Sequence, residues 1–282
     1  MGFRPSSRSW PDYESRGRKP PAAIDDVPDP TVGEITQRGR LSIVAIDRQL
    51  NYGRHIIANY ARAVTPCRIA LDLGAGTGSD LRLVREAHPQ ARLFGVEWSP
   101  ANQEVLRAQG ITALALDLER DPLPLDDGSV DLIVTNQILE HTKEIFWILH
   151  EITRVLAQGG TLVVGVPNLA AAHNRILLAL GHQPSVIRSA SAHVRGFTRR
   201  DFLDLLEAGH PLGYRLRETR GSNFYPFPPR LARPLAHAMP SLAWGMFLRL
   251  EKVAPYERGF LDFPTVAELE TNFFVGPAPV EE

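Results

Sequence analysis

The stretch LDLGAGTGSD, residues 71–80, decides the fold. It begins at the end of a short apolar run, places glycine at every second position from Gly74 to Gly78, and closes on Asp80. Glycine lets the backbone adopt left-handed angles and lets a ligand come close, because there is no Cβ in the way. A strand that runs through such a turn into a helix is typical of nucleotide-binding α/β domains.

Beyond this turn the chain alternates between strand-like and helical patterns. Apolar runs predict strands at residues 68–73, 91–97, 111–116, 130–136 and 161–168, and 3.6-residue periodicity predicts helices between several of them. The helix that begins near residue 143 is predicted to stop at Gly159 and Gly160. The alternation predicts an α/β fold with a doubly wound, mostly parallel sheet and helices on both faces.

The regions flanking this core differ in composition. Residues 1–40 are rich in Pro, Ser, Arg and Asp and are predicted to form a disordered tail. Residues 41–66 are predicted to form an N-terminal helical cap, with apolar positions on one face at Ile46, Leu50, Ile57 and Tyr60. Residues 67–168 are then the cofactor-binding core.

Residues 169–282 are predicted to complete the sheet and to add an acceptor-binding or lid insertion. A helix is expected over residues 197–209, where Thr198 and Asp201 have capping-box spacing. The runs GYRLRETR and WGMFLRLEKV are expected to be further strands.

Composition indicates which binding partners and which cellular compartment are expected. The formal net charge is -1, which provides no bulk field to attract nucleic acid. The single cysteine, Cys67, permits no intrachain disulfide. The N-terminal segment lacks a signal-peptide core, and no apolar run of about 18 residues is present, so a soluble cytoplasmic protein is expected.

The ligand of the glycine turn can be narrowed from the residues around it. Glu97 follows the second strand, 21 residues after Gly76, which suits a carboxylate that accepts from ribose hydroxyls. NAD and S-adenosylmethionine both fit this feature. The spacing G-x-G-x-G departs from the dinucleotide pattern G-x-G-x-x-G, and Asp80 would repel a pyrophosphate, so the sequence favours S-adenosylmethionine.

Four segments carry a family resemblance, in order and with normal spacing over about residues 65–170: IALDLGAGTGSDL, GVEWS, ALDLERDPLPLDDGSVDLIVTNQILEH and LHEITRVLAQGGTLVVGVPN. Together they resemble class I S-adenosylmethionine-dependent methyltransferases, and most of all the small-molecule branch that includes quinone-biosynthesis enzymes. The resemblance implies a Rossmann-like methyltransferase fold and S-adenosyl-L-methionine as cofactor. It assigns the methionine side of the cofactor to Asp72, Gly74, Ala75 and Gly76.

The same resemblance assigns the remaining cofactor contacts. Glu97 would take the ribose, and Trp98 would cover one face of the adenine. Asp117 would accept from the adenine amino group, with Leu118 supplying a backbone contact; a helix cap or a surface acid is the alternative for Asp117. Two residues at the end of the fourth strand would lie beside the sulfonium, Asn136 and Gln137.

The acceptor side is defined less well. A hydroxyl acceptor must lose a proton, and His141 is the best-placed base, although a structural histidine at a helix start is the alternative. His173 and His193 come from the segment that follows residue 168 and are further candidates to face the acceptor. No metal site and no oligomeric state are predicted.

Three acceptor classes remain open: a small molecule, a sugar hydroxyl or a lipid-linked acceptor. O-methylation is the main hypothesis, and C-methylation of an activated ring comes next. The run TNQI lacks the Pro-Pro-aromatic pattern of base-amine methyltransferases, which disfavours nucleic acid. The segment HVRGFTRRDFLDLLEAGH and the aromatic, proline-rich stretch after it resemble glycan- or lipid-linked-sugar methyltransferases and allow peripheral membrane contact.

Two rival classes fit the same glycine turn. One is an NAD-dependent oxidoreductase, which the glycine spacing disfavours. The other is a catalytically silent, methyltransferase-like binding module, which would keep the cofactor contacts but present no acceptor to them.

Overall fold

The computed structural model describes residues 48–270 and 272–276. The tail predicted for residues 1–40 and the start of the predicted helical cap, including Ile46, lie outside these residues. Within them the chain forms a seven-stranded sheet flanked by helices, and the strands follow the order β3-β2-β1-β4-β5-β7-β6. The strands are β1 (Ile69–Leu73), β2 (Arg92–Val96), β3 (Thr112–Leu114), β4 (Val130–Asn136), β5 (Leu156–Pro167), β6 (Tyr214–Ser222) and β7 (Gly245–Lys252).

Strand direction confirms the predicted architecture. The pairs β1–β2, β1–β4, β2–β3 and β4–β5 are parallel. Strand β7 runs antiparallel to both of its neighbours, β5 and β6. The sheet is therefore mostly parallel, with the reversed strand near one end, and the order turns back at β1, as in a doubly wound fold.

Helices cover both faces of this sheet. They are α1 (Arg54–Arg62), α2 (Ser79–Ala87), α3 (Pro100–Ala108), α4 (Ile145–Val155), α5 (Ala172–Ala179), α6 (Arg199–Gly209), α7 (Pro229–Ala238) and α8 (Gly259–Val266). Side chains from α4, α6 and α8 share one buried cluster. Side chains from α1, α2 and α3 share a second cluster, which includes Phe247 of β7. Burial of these two apolar layers is the main favourable term in folding.

Two predicted boundaries were wrong. Helix α4 ends at Val155 and not at Gly159, because Leu156 already pairs with Val130 and starts β5. The N-terminal periodicity is interrupted at Gly53, whose φ of 53° separates a short 3-10 helix, Arg48–Tyr52, from α1. In both places the pattern of apolar residues continues although the hydrogen bonding changes.

The predicted cap of α6 is confirmed. Thr198 precedes α6, and its side-chain oxygen accepts from the backbone N–H of Asp201 at 3.2 Å. Pro100 occupies the first turn of α3 and follows Ser99, whose side chain makes no capping hydrogen bond. In the part of the chain that the structure describes, every helix is too short or too polar to span a bilayer.

Candidate functional site

The parallel register brings the ends of three strands to one edge of the sheet. Leu73, the last residue of β1, pairs with Val96 of β2, and β4 is aligned on the other side of β1. Gly74 and Glu97 lie directly beyond β1 and β2, and Asn136 ends β4. Ligands of open α/β sheets bind at this carboxyl edge, so the fold assembles three of the predicted cofactor-binding residues there.

The glycine turn is held by the acid that follows β2. Gly74, Gly76 and Gly78 have φ angles of 74°, 53° and 81°, a region that side chains disfavour. The backbone N–H of Gly76 donates to Glu97 Oε2 at 2.8 Å. The other carboxylate oxygen of Glu97 accepts from the N–H of Ser99 at 2.7 Å. Glu97 therefore shapes the turn, and its role toward a ribose stays a prediction.

A second set of contacts ties the first turn of α2 to the end of β4. The side-chain amide of Asn136 donates to Asp80 Oδ2 at 2.8 Å and to the carbonyl of Tyr52 at 3.1 Å. Arg54 lies 3.6 Å from Asp80 Oδ1 and packs over the ring of Tyr52. The negative charge of Asp80 is thus balanced within the chain, and it discriminates between the two cofactors less than the sequence implies.

The end of β4 carries two buried side-chain groups without a hydrogen-bond partner among the described residues. The carbonyl oxygen of the Asn136 side chain and the side-chain nitrogen of Gln137 are buried without a hydrogen-bond partner among the described residues. Gln137 has φ 58°, and its backbone N–H donates to Gly165. Buried polar groups of this kind require a partner. An acceptor and a donor side by side fit a ligand that carries both an ammonium and a carboxylate, as S-adenosylmethionine does.

The remaining predicted cofactor residues lie at different depths. Asp72 and Ala75 are buried in β1 and at the start of the turn. Trp98 is 77% exposed beyond β2. Asp117 is exposed, and its carboxylate accepts from the backbone N–H of Glu119 at 2.9 Å.

Leu118 is half-buried and packs against the main apolar cluster. Its backbone follows Asp117 beyond the short strand β3. The adenine contacts assigned to this segment and to Trp98 stay predictions, since they depend on a bound cofactor.

Histidines gather beyond β4, on the predicted acceptor side. His141 lies in a short 3-10 helix, Leu139–His141, and its ring is 4.6 Å from that of His193, centroid to centroid, at 75°. Burial, and to a lesser extent nearby His193, lowers the pKa of His141, so its imidazole is neutral at pH 7. A neutral imidazole can accept a proton or bind a metal.

The residue before His141 was not considered as a site residue. Glu140 is 1% exposed, and burial raises its pKa to about 8. Neither of its carboxylate oxygens has a hydrogen-bond partner within residues 48–270 and 272–276. The run LEH contains the glutamate, but no local pattern indicates that its side chain lies inside the protein.

His173 lies in a separate polar group. Its Nε2 is 2.8 Å from the hydroxyl of Ser185, and its ring packs edge-on against Tyr225. Burial lowers the pKa of His173 to about 4. Tyr225 in turn exchanges hydrogen bonds with Asn51, which joins the C-terminal segment to the 3-10 helix before α1.

The strand order, the single reversed strand β7 and the glycine turn braced by the acid after β2 define a class I S-adenosylmethionine-dependent methyltransferase fold. Residues 71–164, about a third of the chain, match the family model described as "Methyltransferase domain". This match and the names of the relatives indicate S-adenosylmethionine as the methyl donor. The matched segment spans β1 to most of β5 and thus contains every predicted cofactor-binding residue.

Curated relatives match only part of this chain. A trans-aconitate 2-methyltransferase of Methylobacterium radiotolerans is 33% identical over 114 residues, which are 40% of this chain and 44% of that protein. A demethylmenaquinone methyltransferase of Thermus thermophilus is 30% identical over 128 residues, 42% of this chain and 58% of that protein. The chain spans about half the length of the curated relatives it matches.

Solved structures show the same fold over a larger share of the chain. A methyltransferase from a Haloferax volcanii complex with the activator Trm112 is 22% identical, and the match covers 73% of this chain and 92% of that one with a TM-score of 0.51. At this identity the likeness concerns the fold alone.

Proposed function

We propose that the chain is an active methyltransferase that transfers the methyl group of S-adenosylmethionine to a hydroxyl oxygen of a small-molecule, sugar or lipid-linked acceptor. The observation that carries the proposal is the carboxyl edge of the sheet, where the turn braced by Glu97 lies beside the buried, unsatisfied amide groups of Asn136 and Gln137. When bound, the cofactor supplies an activated methyl group, and the protein supplies binding and orientation.

Within this proposal the cofactor contacts divide along the edge. Asp72 and the backbone of the glycine turn face the methionine portion, and Glu97 accepts from the ribose hydroxyls. Trp98, Asp117 and Leu118 enclose the adenine. Because Glu97 already accepts two backbone N–H groups, a ribose would use the remaining lone pairs of a carboxylate that is held in place.

His141 is proposed as the base that takes the acceptor proton. Its Nδ1 lies 3.3 Å from the carbonyl of Ala192, so the proton is on Nδ1 and Nε2 can accept. The lowered pKa keeps the ring neutral at pH 7, which a base requires. A half-buried position also leaves part of the ring accessible to an acceptor.

The segment after β5 supports an apolar or lipid-linked acceptor. Helix α5 exposes Ile176 at 61% and Leu178 at 56%, and Leu180, which directly follows the helix, is 68% exposed. The helix is anchored by buried Asn174, whose Oδ1 accepts from both the N–H and the hydroxyl of Ser185. Exposed aliphatic side chains on an anchored helix suit contact with an acyl or polyprenyl chain, or with a membrane surface.

Relatives that match part of this chain have different acceptors in their names, trans-aconitate in one and demethylmenaquinone in the other. The family model covers residues 71–164 and ends before the segment that follows β5. We therefore infer that residues 169–276 select the acceptor. C-methylation of an activated ring is the second candidate, because a carbon acceptor also loses a proton in the reaction and can use a nearby base.

The proposal is tested by incubating the full chain with methyl-labelled S-adenosylmethionine and three acceptor pools: polar metabolites, free sugars and detergent-solubilised lipid-linked sugars. Label should enter one pool as a base-stable methyl ether, and His141→Ala should slow transfer far more than it weakens cofactor binding. The exposed His182 provides the matched control, His182→Ala. Tight cofactor binding without transfer to any pool at high enzyme concentration would establish the silent binding module instead.

A further inference from the structure

Glu140 is a buried acid without an internal partner. Its side chain is 1% exposed, and both carboxylate oxygens lack a hydrogen bond to any residue in the described ranges 48–270 and 272–276. A buried polar group without a hydrogen-bond partner is unfavourable even when it is neutral, so an orphaned carboxyl group is a candidate ligand for something that binds there. The absence of a hydrogen bond to His141 within those ranges also excludes a simple Glu–His pair as the explanation.

Two imidazoles lie beside this carboxylate. One nitrogen or oxygen atom from each of Glu140, His141 and His193 lies within 4.8 Å of the corresponding atoms of the other two. The rings of the two histidines meet at 75° with their centroids 4.6 Å apart, so they do not stack. This arrangement directs three electron-pair donors into one small volume.

The hydrogen bonds of both histidines fix which nitrogen is available. Nδ1 of His141 is 3.3 Å from the carbonyl of Ala192, and Nδ1 of His193 is 2.7 Å from the carbonyl of Val186. A carbonyl only accepts, so each Nδ1 carries the proton and each Nε2 keeps a lone pair. Histidines that bind metals commonly donate the other ring N–H to a backbone carbonyl in this way.

The backbone fixes the two segments against each other. The carbonyl of Glu140 accepts from the N–H of Val194 at 2.8 Å and from that of Arg195 at 3.2 Å. The guanidinium of Arg195 donates back to the carbonyls of Thr142 and Lys143 at 3.2 and 2.6 Å. Four hydrogen bonds therefore hold His193 beside Glu140 and His141, although 52 residues separate the two histidines in the chain.

We propose that Glu140, His141 and His193 bind one divalent transition-metal ion, best matched by Zn²⁺, through a carboxylate oxygen and two Nε2 atoms. Two histidines and one carboxylate are a donor set typical of zinc sites that keep a position open for a further ligand. Tetrahedral bonds of about 2.0–2.1 Å place ligand atoms roughly 3.4 Å apart, so atoms that lie within 4.8 Å of one another need to close by up to about 1.4 Å. Both histidines are half-buried, which leaves an open position accessible.

The role of this ion rests on the methyl-transfer function proposed above. An acceptor hydroxyl bound at the open position loses its proton at a lower pH, because the cation stabilises the resulting oxyanion. The O–H bond breaks, the electron pair stays on the oxygen, and the proton passes to solvent water. In the metal-bound protein His141 is then a ligand, and the ion replaces it in promoting deprotonation.

Metal binding is tested on the full chain after chelator treatment, by calorimetric titration with Zn²⁺ and by the visible absorption of Co²⁺ bound in its place. We expect one ion per chain and an intense Co²⁺ band, since intensity reports low coordination number. Glu140→Gln and His193→Ala should each weaken Zn²⁺ binding at least 100-fold, and the control His182→Ala should not. His193 lies in an irregular segment, so its variant remains informative if Glu140→Gln fails to fold.

A wild-type chain that binds no stoichiometric Zn²⁺, or a His193→Ala variant with unchanged affinity, would overturn the site. Titration with S-adenosylhomocysteine in the presence of chelator separates the two proposals. Binding of S-adenosylhomocysteine without Zn²⁺ binding overturns only the metal site. Zn²⁺ binding without S-adenosylhomocysteine binding overturns only the methyltransferase function.

Discussion

Glu97→Gln tests the acid that braces the glycine turn. In the structure its two carboxylate oxygens accept from the N–H groups of Gly76 and Ser99 at 2.8 and 2.7 Å. A glutamine keeps one acceptor oxygen and places an NH₂ group against the second N–H, so one of these hydrogen bonds becomes a donor–donor contact. A hydrogen bond to a charged acceptor is worth about 1.5–3 kcal/mol.

We expect a loss of about 2 kcal/mol in the free energy of cofactor binding, because the turn and the ribose contact depend on the same carboxylate. At about 1.4 kcal/mol per tenfold change, this is roughly a 30-fold weaker affinity. Calorimetric titration with S-adenosylhomocysteine measures it directly. Glu104→Gln is the matched control, since Glu104 is exposed on α3 and its replacement removes the same charge.

Circular dichroism and a melting temperature would show that the variant is folded. If folded Glu97→Gln bound S-adenosylhomocysteine as tightly as Glu104→Gln, Glu97 would contribute neither to the turn nor to the ribose site. The reasoning from the carboxyl edge would then be wrong.

Three further predictions concern the turn, the core and the pH dependence of stability. Gly76→Arg should abolish S-adenosylhomocysteine binding, because the new side chain obstructs the ligand. The melting temperature should change little, since a side chain at φ 53° costs only about 1 kcal/mol of strain. Unchanged affinity would refute the assignment of the loop. Phe202→Ala should lower the free energy of unfolding by about 3–5 kcal/mol in urea, since the ring is fully buried against Phe197; a loss below about 1 kcal/mol would contradict this packing. Burial lowers the pKa of His173 to about 4 in the folded protein, whereas in the unfolded chain its imidazole protonates near the ordinary pKa of 6.5. The contribution of the neutral ring to stability is therefore complete above pH 6.5 and is lost as the pH falls toward 4. Because His173 is partly exposed, solvent screening reduces this pH-dependent loss of stability to about 1–2 kcal/mol. The difference in unfolding free energy between the wild type and His173→Gln should change with pH between 6.5 and 4 and stay constant above pH 6.5.

The sequence predicted the sheet well because its central strands are buried on both faces. Strands β1, β2, β4 and β5 read as near-continuous apolar runs between turn residues, which few other structures produce. Boundaries were less predictable where the apolar pattern continues through a change of hydrogen bonding. Leu156 would suit the last turn of a helix as well as the first position of β5, and only its pairing with Val130 decides between them.

The positions of three predicted cofactor residues were predictable because each lies at, or directly beyond, the end of a strand. Gly74, Glu97 and Asn136 come together through the parallel register alone, which the chain order already implies. The charge of Asp80 was weaker evidence for S-adenosylmethionine over NAD. Arg54 balances this charge, and the position of Arg54 depends on how the N-terminal segment packs.

The Glu140–His141–His193 group could not be predicted from the sequence. His193 lies in an irregular segment without periodicity, and its position depends on long-range hydrogen bonds such as that from Val194 to the carbonyl of Glu140. Local pattern contains no information on such a contact. For the same reason the sequence of the proposed acceptor-binding segment indicated which residue types it contains but not how they are arranged in space.

The central claim is that the glycine turn and the strand ends beside it bind S-adenosylmethionine. The most direct measurement is a calorimetric titration of the full wild-type chain with S-adenosylhomocysteine and, separately, with NAD⁺. We predict one site per chain with micromolar affinity for S-adenosylhomocysteine and no heat of binding for NAD⁺. Binding of NAD⁺ in the absence of S-adenosylhomocysteine binding would contradict the account.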